Sequence, residues 1–240
     1  MEKVLYEELR PREFAHRIAQ APIAYLPLGT LEWHGLHLPL GSDGLQSSGL
    51  FCELARRIGG IVLPMLFLGP DKEQEGDGIT YYGMDFWHRP EGEAPRQLPG
   101  SAYHVSDDFF FRLLDNIMAQ LKRAGFKIVV AHGHGPSYKA FQKIIPVMKE
   151  KYGLTLISAK FPEAVHHFQD DHAAANETSI MMYFHPDLVD MTELDPDPNV
   201  FPEAVAGDDP RVYASAEEGR LATEETIELL TKAITKALED

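Results

Sequence analysis

Short apolar runs alternate along this chain with longer segments whose apolar residues recur every three or four positions. Residues 21–28 (APIAYLPL) form a continuous apolar run ended by Gly29. That is the pattern of a strand buried on both faces. Residues 43–58 carry Leu45, Leu50, Leu54 and Ile58 at helical spacing, closed by Gly59 and Gly60. Residues 61–63, 127–131 and 154–158 read as further short strands. Ser106 predicts an N-cap, with Asp107 and Asp108 in the first turn of a helix that reaches Arg123 and stops at Gly125. Helices are also predicted over 137–152, with a kink at Pro146, over 172–184 and over 216–238.

Strands alternating with helices imply βαβ units and an α/β fold with a mostly parallel sheet covered on both faces. Ligand sites in such sheets gather beyond the carboxyl ends of strands. Two stretches break the alternation. Residues 69–100 mix Gly, Pro, charges and aromatics, and read as a long functional loop. Residues 186–210 are rich in Asp and Pro, and read as an extended surface or interface segment. The chain has no internal repeat.

Composition narrows the function classes. The chain has 240 residues, a prior of roughly one to two domains at ~150 residues each. Its 44% hydrophobic and 25% charged content excludes a disordered, collagen-like or coiled-coil chain. The net charge of −15 argues against nucleic acid or an anionic membrane as the main partner. A single cysteine, Cys52, excludes an internal disulfide framework and fits a reducing compartment. No apolar stretch approaches the ~20 residues of a spanning helix. The N-terminal residues lack a signal-peptide pattern, so a cytoplasmic location is expected. The outlier is histidine, at 11.

Three histidine-bearing segments carry the chemistry. After the strand at 21–28 come Glu32, Trp33, His34, His37 and Asp43. In extended chain Glu32 and His34 share a face. Gly35, Pro39 and Gly41 permit a loop that returns Asp43 to them, as a divalent-metal site would need. The same residues would also serve as caps and surface polar groups. The strand at 127–131 runs into His132-Gly133-His134-Gly135, where the imidazoles are ligands or acid/base groups, or else cap the next helix. Asp171, His172 and Glu177 open a helix. His172 and Glu177 diverge by roughly 140° on an ideal helix, so they share a pocket only if His172 lies at or before its start. An acidic helix N-terminus is the alternative reading.

Together these segments resemble the creatininase family of metal hydrolases. Glu32 to Asp43 is similar to its Glu-x-His-Gly-x-His-Leu-Pro-x-x-x-Asp signature. His132 to Ser137 is similar in part to Asn-Gly-His-Gly-Gly-Asn, and His172 to Ser179 to His-Ala-Gly-x-x-Glu-Thr-Ser. Leu98 to Ser101 resembles its Pro-Gly-Thr turn, and residues 207–219 resemble its C-terminal Gly-Asp-Pro and Ala-Ser-x-x-x-Gly.

The resemblance implies one three-layer α/β/α domain over 1–240 with two divalent metal ions, Zn, Mn or Fe. Glu32 and His134 would hold one ion, His34 the other, and Asp43 would bridge. Glu177 would complete the second ion, because Gly135 and Pro136 supply no carboxylate. His172 matches the acid/base histidine, with Asp171 expected to raise its pKa or orient its ring. The implied partners are a small-molecule substrate and further copies of the chain, often as a hexamer. The implied reaction is hydrolysis of a non-peptide C–N bond in a cyclic amide or formamide; a lactone or cyclic ketone, or a non-catalytic metal-binding role, are the alternatives. Trp33, His37, His132, Tyr82, Trp87 and Arg89 are expected around the substrate, His37 alternatively behind the ligands. Creatinine itself is disfavoured. Members that cleave it enclose it with late tryptophans, whereas Trp33 and Trp87 are the only two here and Phe168 sits near one expected position.

Overall fold

A computed structural model describes residues 2–87, 92–159 and 171–239. The elements are α1 (Pro11–Gln20), β1 (Ile23–Leu28), α2 (Ser42–Ile58), β2 (Ile61–Val62), β3 (Glu73–Gly76), β4 (Ile79–Tyr82), α3 (Asp107–Ala124), β5 (Ile128–Gly133), α4 (Gly135–Tyr152), β6 (Thr155–Ser158), α5 (Ala175–Phe184), α6 (Pro210–Tyr213) and α7 (Ala216–Glu239). The main sheet runs β2-β1-β5-β6, with every neighbouring pair parallel.

Strand side chains alternate between two cores. Ala24, Leu26, Leu28, Val129 and Ala131 face Phe110, Leu114, Phe141 and Ile144 of α3 and α4. Ile23, Tyr25, Ile128 and Val130 face Phe51 and Leu54 of α2 and Leu230 and Ile234 of α7. Each fully buried Leu, Ile, Val or Phe among them contributes about 1.5–3 kcal/mol over exposure. This is the expected α/β architecture, a mostly parallel sheet between helical layers.

The chain crosses from β1 to β2 on one side, then places β5 on the other side of β1. The switch point therefore lies between β1 and β5, where α/β sheets form their ligand crevice. Leu28 pairs with Gly133, so the segments after the two strands emerge side by side.

Several boundaries differ from expectation, for local reasons. The α4 helix starts at Gly135, two residues early, because His134 takes the N-cap position, and it runs through Pro146. The α5 helix starts at Ala175 rather than His172. The stretch 69–100 holds an antiparallel hairpin, β3–β4, turned by Asp77 and Gly78 at positive φ. The α1 helix was not anticipated; Pro11 opens it and the Glu13 carboxylate accepts from the Arg10 backbone N–H at 2.7 Å. Among the described residues no helix is long and apolar enough to cross a membrane.

Candidate metal centre

The site is assembled from three chain segments at the carboxyl edge of β1 and β5. Beyond β1 the loop folds back through a bond from Glu32 N to the Leu40 carbonyl, 3.1 Å. That return delivers Asp43, the second residue of α2, beside Glu32 and His34. Beyond β5, Gly133 adopts φ +135°, and a Cβ there would collide with the Leu28 carbonyl. Glycine thus lets the backbone turn so that His134 N reaches that carbonyl at 2.8 Å. The third segment pairs His172 with Ala206 in an antiparallel bridge just before α5. Glu177 follows in the first turn of α5, so the condition for His172 and Glu177 to share a pocket is met.

Asp43 Oδ2 occupies the middle. It lies 3.5 Å from His34 Nε2 and 3.2 Å from His134 Nδ1. His134 Nδ1 is also 3.0 Å from Glu32 Oε1, and His34 Nε2 is 3.7 Å from Glu177 Oε2. Two three-residue groups result, Glu32–Asp43–His134 and His34–Asp43–Glu177, each with ligand atoms within 4.8 Å of one another. A third such group joins Glu32, His34 and His172. The His34 and His172 rings stack, centroids 4.3 Å apart.

Burial and pairing oppose each other here. Burial pushes the Glu32 carboxyl up, but His134 beside it outweighs this and holds it at about 2. Burial likewise raises Asp43, and His34 and His134 pull it well below the usual carboxylate range. Burial lowers His34, but Asp43 and Glu177 raise it to about 10; His134 is raised well above the imidazole range against burial, by Glu32 and Asp43. Glu177 is pushed up to about 8, by burial first, with His34 opposing. His172 falls to about 4 through burial and then His34.

These residues fit divalent ions. Each group combines imidazole nitrogen with carboxylate oxygen, the donor set of Zn, Mn or Fe. The buried His34 Nε2 has no hydrogen-bond partner among the described residues, and faces two carboxylates. Protons on His34 and His134 offset the acids, and ions would displace those protons.

A cavity of about 270 Å³ opens over the cluster. Its wall includes Glu32, Asp43, His134, His172 and Glu177, together with His132 and Trp87. Trp87 also stacks under Lys72, whose Nζ is 3.3 Å from the ring centroid. Three residues expected at the substrate line other places. The Trp33 indole donates to the Pro99 carbonyl at 2.8 Å and packs on Met84 and Leu98, because the apolar ring finds burial there. His37 is buried behind α5, its Nε2 at 2.8 Å from Thr178 Oγ1, which fits the alternative of a role behind the ligands. Tyr82 stacks on His104, centroids 4.9 Å apart. Arg89 and Phe168 lie outside the described residues.

Asp171 lines the cavity but has a different task from the expected one. Its carboxylate accepts from the backbone N–H groups of Asn176 (2.8 Å) and Glu177 (3.3 Å), capping α5. The His172 ring is oriented instead by Trp33, whose carbonyl accepts from Nε2 at 2.7 Å. Its pKa moves down, not up, because burial dominates.

Two residues escaped the sequence reading. Asp71 is buried in the cavity wall, its carboxyl pushed up to about 7 by burial and then by Glu32. His104 is close behind, its Nδ1 3.9 Å from Asp71 Oδ2. Both lie outside any periodic pattern. Gly69-Pro70-Asp71 follows the apolar run that bridges Leu28 through Leu66, a strand-end position that could have flagged Asp71.

Comparison with known proteins identifies the family and the fold. The family model for creatininase, described as creatinine amidohydrolase, matches residues 7–239. The creatinine amidohydrolase of Pseudomonas putida is 29% identical over 219 residues, covering 83% of this chain and 79% of that protein. The mycofactocin precursor peptide peptidase of Mycolicibacterium smegmatis is 25% identical over 181 residues, covering 73% of this chain and 63% of that protein. A crystal structure of creatinine amidohydrolase superposes with a TM-score of 0.73 at 23% identity, covering 98% of both chains. A manganese form of creatininase matches equally, at 0.73 and 22%, again over 98% of both. The matched model spans nearly the whole chain, so this protein belongs to the creatininase family of amidohydrolases.

Proposed function

We propose that this chain binds two divalent ions and hydrolyses a non-peptide C–N bond in a small cyclic amide or formamide. Glu32 and His134 would hold one ion, His34 and Glu177 the other, with Asp43 shared. The supporting observation is the place of Asp43 Oδ2, within 3.5 Å of imidazole nitrogens from both groups. Such ions, when bound, polarise a carbonyl and bring the pKa of water near neutrality.

The chain's own groups handle the proton. With Nε2–H given to the Trp33 carbonyl, Nδ1 is the basic position of the neutral His172 ring. Burial disfavours its charged form, so the ring rests neutral. It accepts the proton of the attacking water at Nδ1 and returns it to the leaving nitrogen. Asp171 fixes the start of α5 and so the position of Glu177. The cavity, about 270 Å³, suits a small molecule. By family resemblance we read the chain as one domain over 1–240, working as a cytoplasmic homo-oligomer.

A second reading, cleavage of a peptide amide, is favoured by the likeness to a precursor peptide peptidase. The test is a mass-spectrometric screen of the Zn- and Mn-loaded protein against cyclic amides, formamides, lactones, cyclic ketones, creatinine and short peptides. Opening of a cyclic amide or formamide, with creatinine slow, is expected. Turnover confined to lactones, cyclic ketones or peptides would overturn the proposal.

A further inference from the structure

Asp71 presents a side-chain carboxyl, almost fully buried, to the cluster. Its Oδ1 accepts from the Lys72 backbone N–H at 2.7 Å, which fixes the carboxylate plane. Its Oδ2 has no hydrogen-bond partner among the described residues. That oxygen faces His134 Nε2 and His104 Nδ1, each at 3.9 Å, and neither nitrogen has a hydrogen-bond partner among the described residues. His134 directs its other nitrogen, Nδ1, at Glu32 and Asp43. Gly83 makes the arrangement feasible: a Cβ there would occupy the space of Asp71 Oδ2 and stand 3.1 Å from Glu32 Oε2.

A ligand histidine that binds an ion through one nitrogen generally gives its other N–H to a carboxylate or carbonyl, which fixes tautomer and ring angle. Most buried polar groups find a partner, so orphans that face one another mark a contact that another state of the site completes; of the two nitrogens, His134 Nε2 belongs to a ring in the proposed ligand set. A separation of 3.9 Å is beyond a direct hydrogen bond. One bridging water, or a small ring rotation as His134 engages an ion, closes it.

We propose that Asp71 is a positioning residue, which receives the Nε2–H of His134 and so sets the affinity of the ion held by Glu32 and His134. The inference rests on the two-ion reading above. It concerns a residue outside that ligand set.

Asp71→Asn tests it. Lys72 N–H keeps Oδ1 in place, so the new amide turns its NH₂ toward the His134 N–H, donor against donor. Zn affinity is measured by competition with a chromophoric chelator in two backgrounds. In Glu177→Gln, which keeps the Glu32–Asp43–His134 group, Asp71→Asn should weaken the ion about 10–100-fold. In His134→Ala, which keeps the His34–Asp43–Glu177 group, it should change nothing. Equal weakening in both backgrounds, or in neither, overturns the proposal. Asp71→Ser, assayed in the same two backgrounds, replaces Asp71→Asn if that variant has lost its circular dichroism. If the unsubstituted protein binds no Zn, the two-ion reading fails instead.

Discussion

His172 reaches from its Nε2 to the backbone carbonyl of Trp33, 2.7 Å away. This bond ties the third histidine segment to the first, and it decides which ring nitrogen can do chemistry. On the proposed reading, His172→Ala removes the proton carrier and leaves the ion ligands in place. Turnover should fall by about 10²–10⁴-fold. Metal content, by elemental analysis, should stay at the unsubstituted level. Retained turnover would reject the acid/base role.

Asp171 is expected to act through α5. Asp171→Ala removes acceptors for Asn176 N and Glu177 N and should cost about 1 kcal/mol of stability, within a range of ~0.5–2. The pKa read from the pH–rate profile should not move. A displaced profile with unchanged stability would restore the discarded idea that Asp171 tunes the His172 ring.

The sequence carried the chemistry further than it carried the scaffold. Glu32, His34, Asp43, His134, His172 and Glu177 are legible because each sits just past a strand, just before a helix or in a helix's first turn, at spacings a residue pattern records. Asp171 was misjudged because its partners are backbone N–H groups, which no side-chain pattern displays. Asp71 and His104 were missed because the contacts that bury them, from residues such as Tyr82 and Gly83, are distant in sequence. The β3–β4 hairpin did leave a signal, Asp77-Gly78 between short runs, and α1 left another in Pro11 and Glu13. In both cases surrounding charges masked it.

Alkaline pH should destabilise the ion-free protein. His34 rises from 6.5 to about 10, so its contribution is complete below 6.5 and lost as pH climbs through 10. Glu177 rises from 4.5 to about 8, so its contribution is complete below 4.5 and lost as pH climbs through 8. Both act in one direction between pH 7 and 10. The melting midpoint in EDTA should fall across that range, and added Zn or Mn should counter the fall, since ions take the place of the protons. A flat or rising midpoint in EDTA would contradict the paired imidazolium–carboxylate cluster.

The close approach of α7 to α5 depends on Gly219. A Cβ at this position would strike the Ser179 carbonyl. Gly219→Ala should cost about 1–3 kcal/mol, lowering the midpoint by roughly 2–4 °C per kcal/mol. Because α5 carries Glu177, ion affinity should weaken as well. Calorimetry with and without Zn reads both effects, and an unchanged midpoint would show that the helices have room to separate.

The shared place of Asp43 is tested most directly by counting ions. Protein purified without chelators, then dialysed against trace Zn, is analysed beside Asp43→Ala for metal per chain. Two ions in the unsubstituted chain and none in the variant are predicted, because both groups lose the same carboxylate. One ion retained by Asp43→Ala, or none in the unsubstituted chain, would contradict the account.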